Sequence, residues 1–187
     1  MNEDLYVANA DGSYPTYLTN NEVWGSSPAW FPDSEKIAFV GDGEIYTINA
    51  DDTNLTQLTD NAPVGGNLVI SPDGKQIAFL GRAAGDSGVE GQPCFDLYVI
   101  DADGSGLTNL SDKVTCSNKA RGSLVTVNSS NRFLFSPDSK QIAFISSRTS
   151  NGWEWTVDLY VVNVDGTGLT RLTNTKAGEF IVTWVWK

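Results

Sequence analysis

Asp101-Ala102-Asp103-Gly104 begins the way a calcium loop begins, with two carboxylates one residue apart ahead of a glycine. An EF-hand loop also needs further oxygen ligands and a bidentate Glu at its twelfth position, where this chain has Asp112. Asp and Asn side chains equally bond their own backbone two residues on, and so cap tight turns. The parallel turns at Asp11, Asp51 and Asp165 favour that role for Asp101 and Asp103 and leave calcium among the carboxylates as the lesser reading. The aspartates of three Pro-Asp pairs, Asp33, Asp73 and Asp138, read the same way.

Gly85-Asp86-Ser87-Gly88 matches the phrase around a serine-protease nucleophile, but the chain contains 0 histidines to act as its base. The same lack closes Cys–His catalysis and the usual zinc sites. No enzyme is therefore expected, and no cofactor apart from calcium in its lesser reading. Cys94 and Cys116 stand at the open end of one hairpin, where residue 94 faces roughly residue 113. A disulfide after a small loop adjustment is the favoured reading, against two free thiols. It implies an oxidising setting outside the cytoplasm. Trp153 and Trp155 lie in an insertion, Ser146–Thr156, where aromatics either anchor a partner or extend a strand; the two readings weigh equally. Asn54, Asn109 and Asn128 begin Asn-x-Ser/Thr phrases, acceptors for glycosylation only where the source modifies secreted proteins.

The chain's 187 residues suit one domain, and 40% hydrophobic with 11% aromatic residues is the composition of a folded core rather than a disordered segment. A net charge of -11 argues against nucleic acid, whose binders cluster Lys and Arg against phosphates. No apolar run reaches the length of a membrane-spanning helix. Residues 1–20 lack a basic start followed by an apolar run, so a signal peptide is expected to be absent or already removed.

These residues are carried by a repeat. Asp4-Leu5-Tyr6-Val7 recurs as Glu44-Ile45-Tyr46-Thr47, Asp96-Leu97-Tyr98-Val99 and Asp158-Leu159-Tyr160-Val161. Each leads through an Asp-containing turn to Leu18-Thr19, Leu58-Thr59, Leu110-Ser111 or Leu172-Thr173. A second phrase, Trp30-Phe31-Pro32-Asp33, Ile70-Ser71-Pro72-Asp73 and Phe135-Ser136-Pro137-Asp138, is followed each time by Ile-Ala-Phe, at 37–39, 77–79 and 142–144. Short β-branched and aromatic runs between turn signals read as strands in tight hairpins, and no sustained 3.6-residue period predicts a helix. Four strands repeated about every 40 residues predict an all-β fold, a β-propeller of about four four-stranded blades. A β-sandwich would not need the same phrases in the same order.

Ser71–Phe79 (Ser-Pro-Asp-Gly-Lys-Gln-Ile-Ala-Phe) and Asp96–Thr108 resemble the WD40-like PD40 repeat of TolB-type propellers. The resemblance extends over nearly the whole chain outside the insertions. It implies a propeller and, more loosely, a periplasmic or extracellular protein-binding scaffold. Similar blades also precede the catalytic domain of some serine peptidases, and no such domain is expected within these 187 residues.

The expected boundaries are a partial blade at 1–20, blades at 21–61, 62–113 and 114–174, and a first strand at 175–187. Two strands, three full units and one last strand give 15 of the 16 that four blades require. The missing strand lies between Leu5 and Val7 on one side and the Phe180, Val182, Trp184 and Trp186 run on the other. Trp30 and Trp184 occupy equivalent inner-strand positions and read as core. An open sheet edge recruits a strand. Self-association follows as the expectation, as a swapped dimer or a head-to-tail polymer, against a piece of a longer propeller or a divergent segment filling the gap. The functional expectation is a non-catalytic extracytoplasmic scaffold that binds protein, copies of itself included. The alternative is a module holding a glycan or calcium.

Overall fold

A computed structural model describes residues 4–19, 23–82, 95–111, 133–150, 154–174 and 184, without the side chains of 146–150 and 154–157. The described residues contain no helix and form fourteen strands in four antiparallel sheets. The first sheet is a two-stranded hairpin, β1 (Tyr6–Val7) with β2 (Thr16–Tyr17). The second holds β3 (Gly25–Trp30), β4 (Lys36–Gly41), β5 (Glu44–Asn49) and β6 (Thr56–Gln57) in chain order. The third holds β7 (Val64–Ile70), β8 (Gln76–Arg82), β9 (Phe95–Asp101) and β10 (Thr108–Asn109). The fourth holds β11 (Phe133–Phe135), β12 (Gln141–Ser150), β13 (Glu154–Asn163) and β14 (Thr170–Arg171). The fold is an all-β propeller, three complete blades following a partial one.

The strands form where the sequence alternates. In each Ile-Ala-Phe strand successive side chains point to opposite faces of the blade, and both faces are covered. Ile77 and Phe79 turn back onto Ala38, Val40 and Ile45 of the preceding blade, in one apolar cluster with Phe31, Leu68, Tyr98 and Ile100. Ala78 and Leu80 turn forward onto Ile142 and Phe144, in a second cluster with Leu97, Val99, Leu110, Phe133, Phe135, Tyr160 and Val162. A third joins Leu5 and Leu18 of the hairpin to Ile37, Phe39 and Ile48. Each cluster is thus an interface between consecutive sheets, and the alanine leaves room for the next blade's Ile and Phe. Burying such side chains stabilises the stack by about 2 kcal/mol each.

Glycine closes β4, at Gly41, and sits within β8, at Gly81, for a local reason. A Cβ on Gly81 would stand 2.4 Å from the Pro63 carbonyl oxygen and 2.9 Å from the Tyr98 ring. At Gly41 a Cβ would strike Val23 and press on Phe39 and Tyr46. β12 has Ser146 at the equivalent place. It pairs with β13 over ten residues, out to Ser150 opposite Glu154.

Candidate functional site

Both ends of every blade are tied by hydrogen bonds that recur at constant spacing. At one end, the backbone N–H of Leu5, Ile45, Leu97 and Leu159 donates to the hydroxyl of Thr19, Thr59, Ser111 and Thr173, fourteen residues on, at 2.8–3.0 Å. The carbonyls of Leu5, Ile45, Leu97 and Leu159 accept from Leu18, Leu58, Leu110 and Leu172 in return, each at 2.8 Å. The Leu-Thr phrase is therefore a clasp. It lets an outer strand of two residues hold its neighbour and satisfies a buried donor that the short ladder would leave unmet.

An acidic residue stands beside each clasp. Glu44 accepts from the Thr59 hydroxyl and, at 2.8 Å, from the Asn61 N–H. Asp96 accepts from the Asn109 side-chain amide at 2.8 Å. Asp158, at 0% exposure, pairs with the Arg171 guanidinium at 2.8 Å. These carboxylates are consumed in holding the outer strand, each by a different partner.

At the opposite end the turns are aspartate-built. Asp11, Asp51, Asp103 and Asp165 each accept from the backbone N–H and the hydroxyl of Ser13, Thr53, Ser105 and Thr167, two residues on. The hydroxyl bond, with the backbone bond second, holds Asp11, Asp103 and Asp165 below the ordinary carboxylate range. Asp103 thus does what its three counterparts do, and Asp101 receives the Gln76 amide at 3.4 Å. Among the described residues no group of three or more His, Cys, Asp or Glu is placed to hold a metal. In the Pro-Asp turns, Asp73 and Asp138 accept from the Ser71 and Ser136 hydroxyls at 2.7 and 2.6 Å and from Lys75 and Lys140 N–H at 3.1 Å. Both lie below the ordinary aspartate range, chiefly through those hydroxyls. Where Phe31 replaces the serine, Asp33 keeps only backbone donors, Glu35 and Lys36.

The exception to this uniformity is the partial blade. In the complete blades the tyrosine of the Leu-Tyr-Val phrase lies directly opposite the phenylalanine of Ile-Ala-Phe: Phe39 with Tyr46, Phe79 with Tyr98, Phe144 with Tyr160. The rings stack at 5.7, 5.6 and 5.4 Å and 16–20°. Tyr6 holds the same place on β1 but, among the described residues, β1 pairs with β2 alone. Tyr6 leans instead on Tyr17 at 6.1 Å and 47° and is 63% exposed, whereas Tyr98 is 6% exposed. Tyr14, Tyr17 and Trp24 are exposed as well.

The other expected residues fall as follows. Leu5 is buried in the first interface and Val7 packs partly against it, so these side chains serve the core. Trp155 pairs with Thr149 on the lengthened β12–β13 hairpin, as strand rather than loop. Trp184 is half-buried, its indole N–H 3.4 Å from the Leu134 carbonyl. Trp30 was expected in the core and is instead 48% exposed, because β3 alternates and its burial passes to Phe31. Asn54 is an exposed turn residue with φ 57°, and the Asn109 amide is engaged by Asp96. Cys94, Cys116, Asn128, Trp153, Phe180, Val182, Trp186 and the Gly85–Gly88 phrase lie outside the described residues. The clasp was not anticipated, although its constant spacing of fourteen was visible in the repeat.

The fold is that of a TolB-like β-propeller. A structure described as TolB from Agrobacterium tumefaciens superposes with a TM-score of 0.57 at 19% identity, covering 91% of this chain and 56% of its own. The acylaminoacyl peptidase of Pyrococcus horikoshii gives 0.60 at 14% identity, over 96% of this chain and 29% of that one. A chain of a nidogen–laminin complex gives 0.55 at 14%, over 86% and 64%. The chain thus spans about half the length of the TolB structure. No family model and no curated protein matches it.

Proposed function

We propose that this chain is a non-catalytic protein-interaction scaffold that works outside the cytoplasm and engages its partners, copies of itself included, by adding a strand to β1. The observation that carries this reading is the first sheet, two-stranded among the described residues, with Tyr6 63% exposed there beside three blades whose equivalent strand is paired on both sides. An antiparallel edge offers a row of backbone donors and acceptors, and pairing with an incoming strand satisfies them. The likeness to a chain of a nidogen–laminin complex is consistent with a binding role. A chain with 0 histidines and carboxylates engaged in clasps and turns supports the non-catalytic half of the reading. The location outside the cytoplasm rests on the TolB-like repeat and on Cys94 and Cys116 as a bridge.

Native mass spectrometry of the purified chain tests self-association. Dimers or a ladder of higher species are expected. A single monomeric species across micromolar concentrations overturns self-association, and a fully alkylated Cys pair without prior reduction overturns the bridge.

A further inference from the structure

The turn of the first hairpin holds a residue type that the other blades do not place there. Position 14 is tyrosine, where the equivalent turns have Asn54, Gly106 and Gly168. All four stand in the left-handed region, with φ of 53°, 57°, 70° and 68°. Glycine meets no steric penalty in that region and asparagine little, whereas a tyrosine loses on the order of tenfold in the folding equilibrium. Burial does not offset the loss, because Tyr14 is 84% exposed. The exposure belongs to the turn itself: Asn54, Gly106 and Gly168 are exposed too, each in a four-stranded sheet. A strained, solvent-facing aromatic gives the fold nothing and gives a partner a rigid apolar face with a polar tip.

Charge says what kind of partner. Residues 1–35 contain six acidic residues (Glu3, Asp4, Asp11, Glu22, Asp33 and Glu35) and none of the chain's 12 Lys and Arg. Asp11 belongs to the same turn as Tyr14, and the turns of the next blade, at the same end of the propeller, add Asp33, Asp51 and Asp52. The first cation along the chain, Lys36, is already held 5.5 Å over the Phe31 ring.

We infer that Tyr14 is the contact point for a basic segment of another protein, an arginine of which stacks on the exposed ring while carboxylates of the turn end meet its charge. A guanidinium is planar, lies flat on aromatic faces and pairs with carboxylates, and tyrosine and arginine recur together where binding energy concentrates. A second copy of this chain is the wrong source, because two molecules of charge -11 repel. The inference is independent of strand addition at β1 and concerns a different surface.

An acetylated and amidated peptide, Gly-Arg-Gly-Arg-Gly-Arg-Gly, is titrated into the full chain by calorimetry at physiological salt, beside its glutamine counterpart. The arginine peptide should bind and the glutamine peptide should not. Tyr14→Gly should weaken binding by about fivefold or more, and Tyr14→Phe, which keeps the ring, should leave it nearly unchanged. Asn54→Gly, the same change in the next blade, should have no effect on binding. None of these variants alters the net charge, so attraction to an acidic surface in general is the same in all of them. Tyr14→Gly should also raise the urea midpoint of unfolding, since it relieves the left-handed strain, which separates lost contact from lost fold. The inference is overturned if the arginine peptide does not bind, if Tyr14→Gly binds it as the parent chain does, or if Asn54→Gly weakens it equally. A lowered midpoint for Tyr14→Gly also overturns it, by showing that the ring serves the fold. Tyr14-dependent binding of a neutral oligosaccharide such as cellohexaose, without binding of the peptide, overturns the basic partner.

Discussion

Tyr98 and Tyr6 occupy the same position of the same phrase, yet one is 6% and the other 63% exposed. Their own strands are nearly alike. Both belong to hairpins closed by an aspartate turn, and both precede a clasp made by a hydroxyl fourteen residues beyond the preceding leucine. What differs is the strand on the other side: β8 gives Tyr98 its phenylalanine, and the preceding blade covers the pair. Tyr46 is intermediate in a telling way. It stacks on Phe39 but, among the described residues, has a two-stranded sheet before it, and it remains half-buried. Burial therefore comes from two separable neighbours, the second strand and the previous blade, and the repeat unit does not carry its own cover.

Substitutions can break this comparison. Phe79→Ala should cost about 3–4 kcal/mol in urea unfolding, because a fully buried ring is lost from a packed interface. Tyr6→Ala should stay within about 1 kcal/mol. Equal losses would mean that Tyr6 is packed after all. Gly81→Ala should cost about 2 kcal/mol, since its Cβ meets the Pro63 carbonyl and the Tyr98 ring. In the partial blade Gly12→Ala meets open space and carries only the left-handed φ of +81°, about 1 kcal/mol.

Two smaller effects sharpen the comparison by being the same in both regions. Ser111→Ala and Thr19→Val each remove a hydroxyl from a buried backbone N–H and should each cost about 1 kcal/mol, with faster hydrogen exchange at the Leu97 and Leu5 amides. A loss confined to Ser111 would show that the clasp of the first hairpin holds less than its counterpart in a complete blade. The smallest effect is in pH. Asp11, Asp103 and Asp165 have folded values below the ordinary 3.8, so their contribution is present above that value and lost as pH falls through the lower, folded one. Asp103→Asn and Asp11→Asn should each flatten the acid limb of the unfolding midpoint slightly, and by similar amounts.

The fold was legible in the sequence because its signals are local. Ser71-Pro72-Asp73-Gly74 forms its turn from its own side chains, and Ile77-Ala78-Phe79 states its alternation in three residues. The turn role of Asp11, Asp51, Asp103 and Asp165 was readable for the same reason. The Leu-Thr phrase was visible as a repeat, but its purpose was not. A hydroxyl that replaces one rung of a ladder is recognised only once both strands are placed, although Leu97 and Ser111 keep the same interval as Leu5 and Thr19. Trp30 differs from the expectation because position on an inner strand fixes neither face; the next residue beyond β3, Phe31, is buried, and the indole is exposed. The acidic residue beside each clasp escaped a role because Glu44, Asp96 and Asp158 each find a different partner: a hydroxyl, an amide and a guanidinium.

The outermost strands, β2, β6, β10 and β14, are two residues long in every sheet. A rim that short gives a neighbouring molecule too few rungs to build on, which is how β-rich proteins resist growing into fibres. With a charge of -11 the molecules also repel one another at neutral pH. Concentrated solutions should therefore stay clear near neutrality and cloud first where acid removes that repulsion, close to the isoelectric point of 4.2.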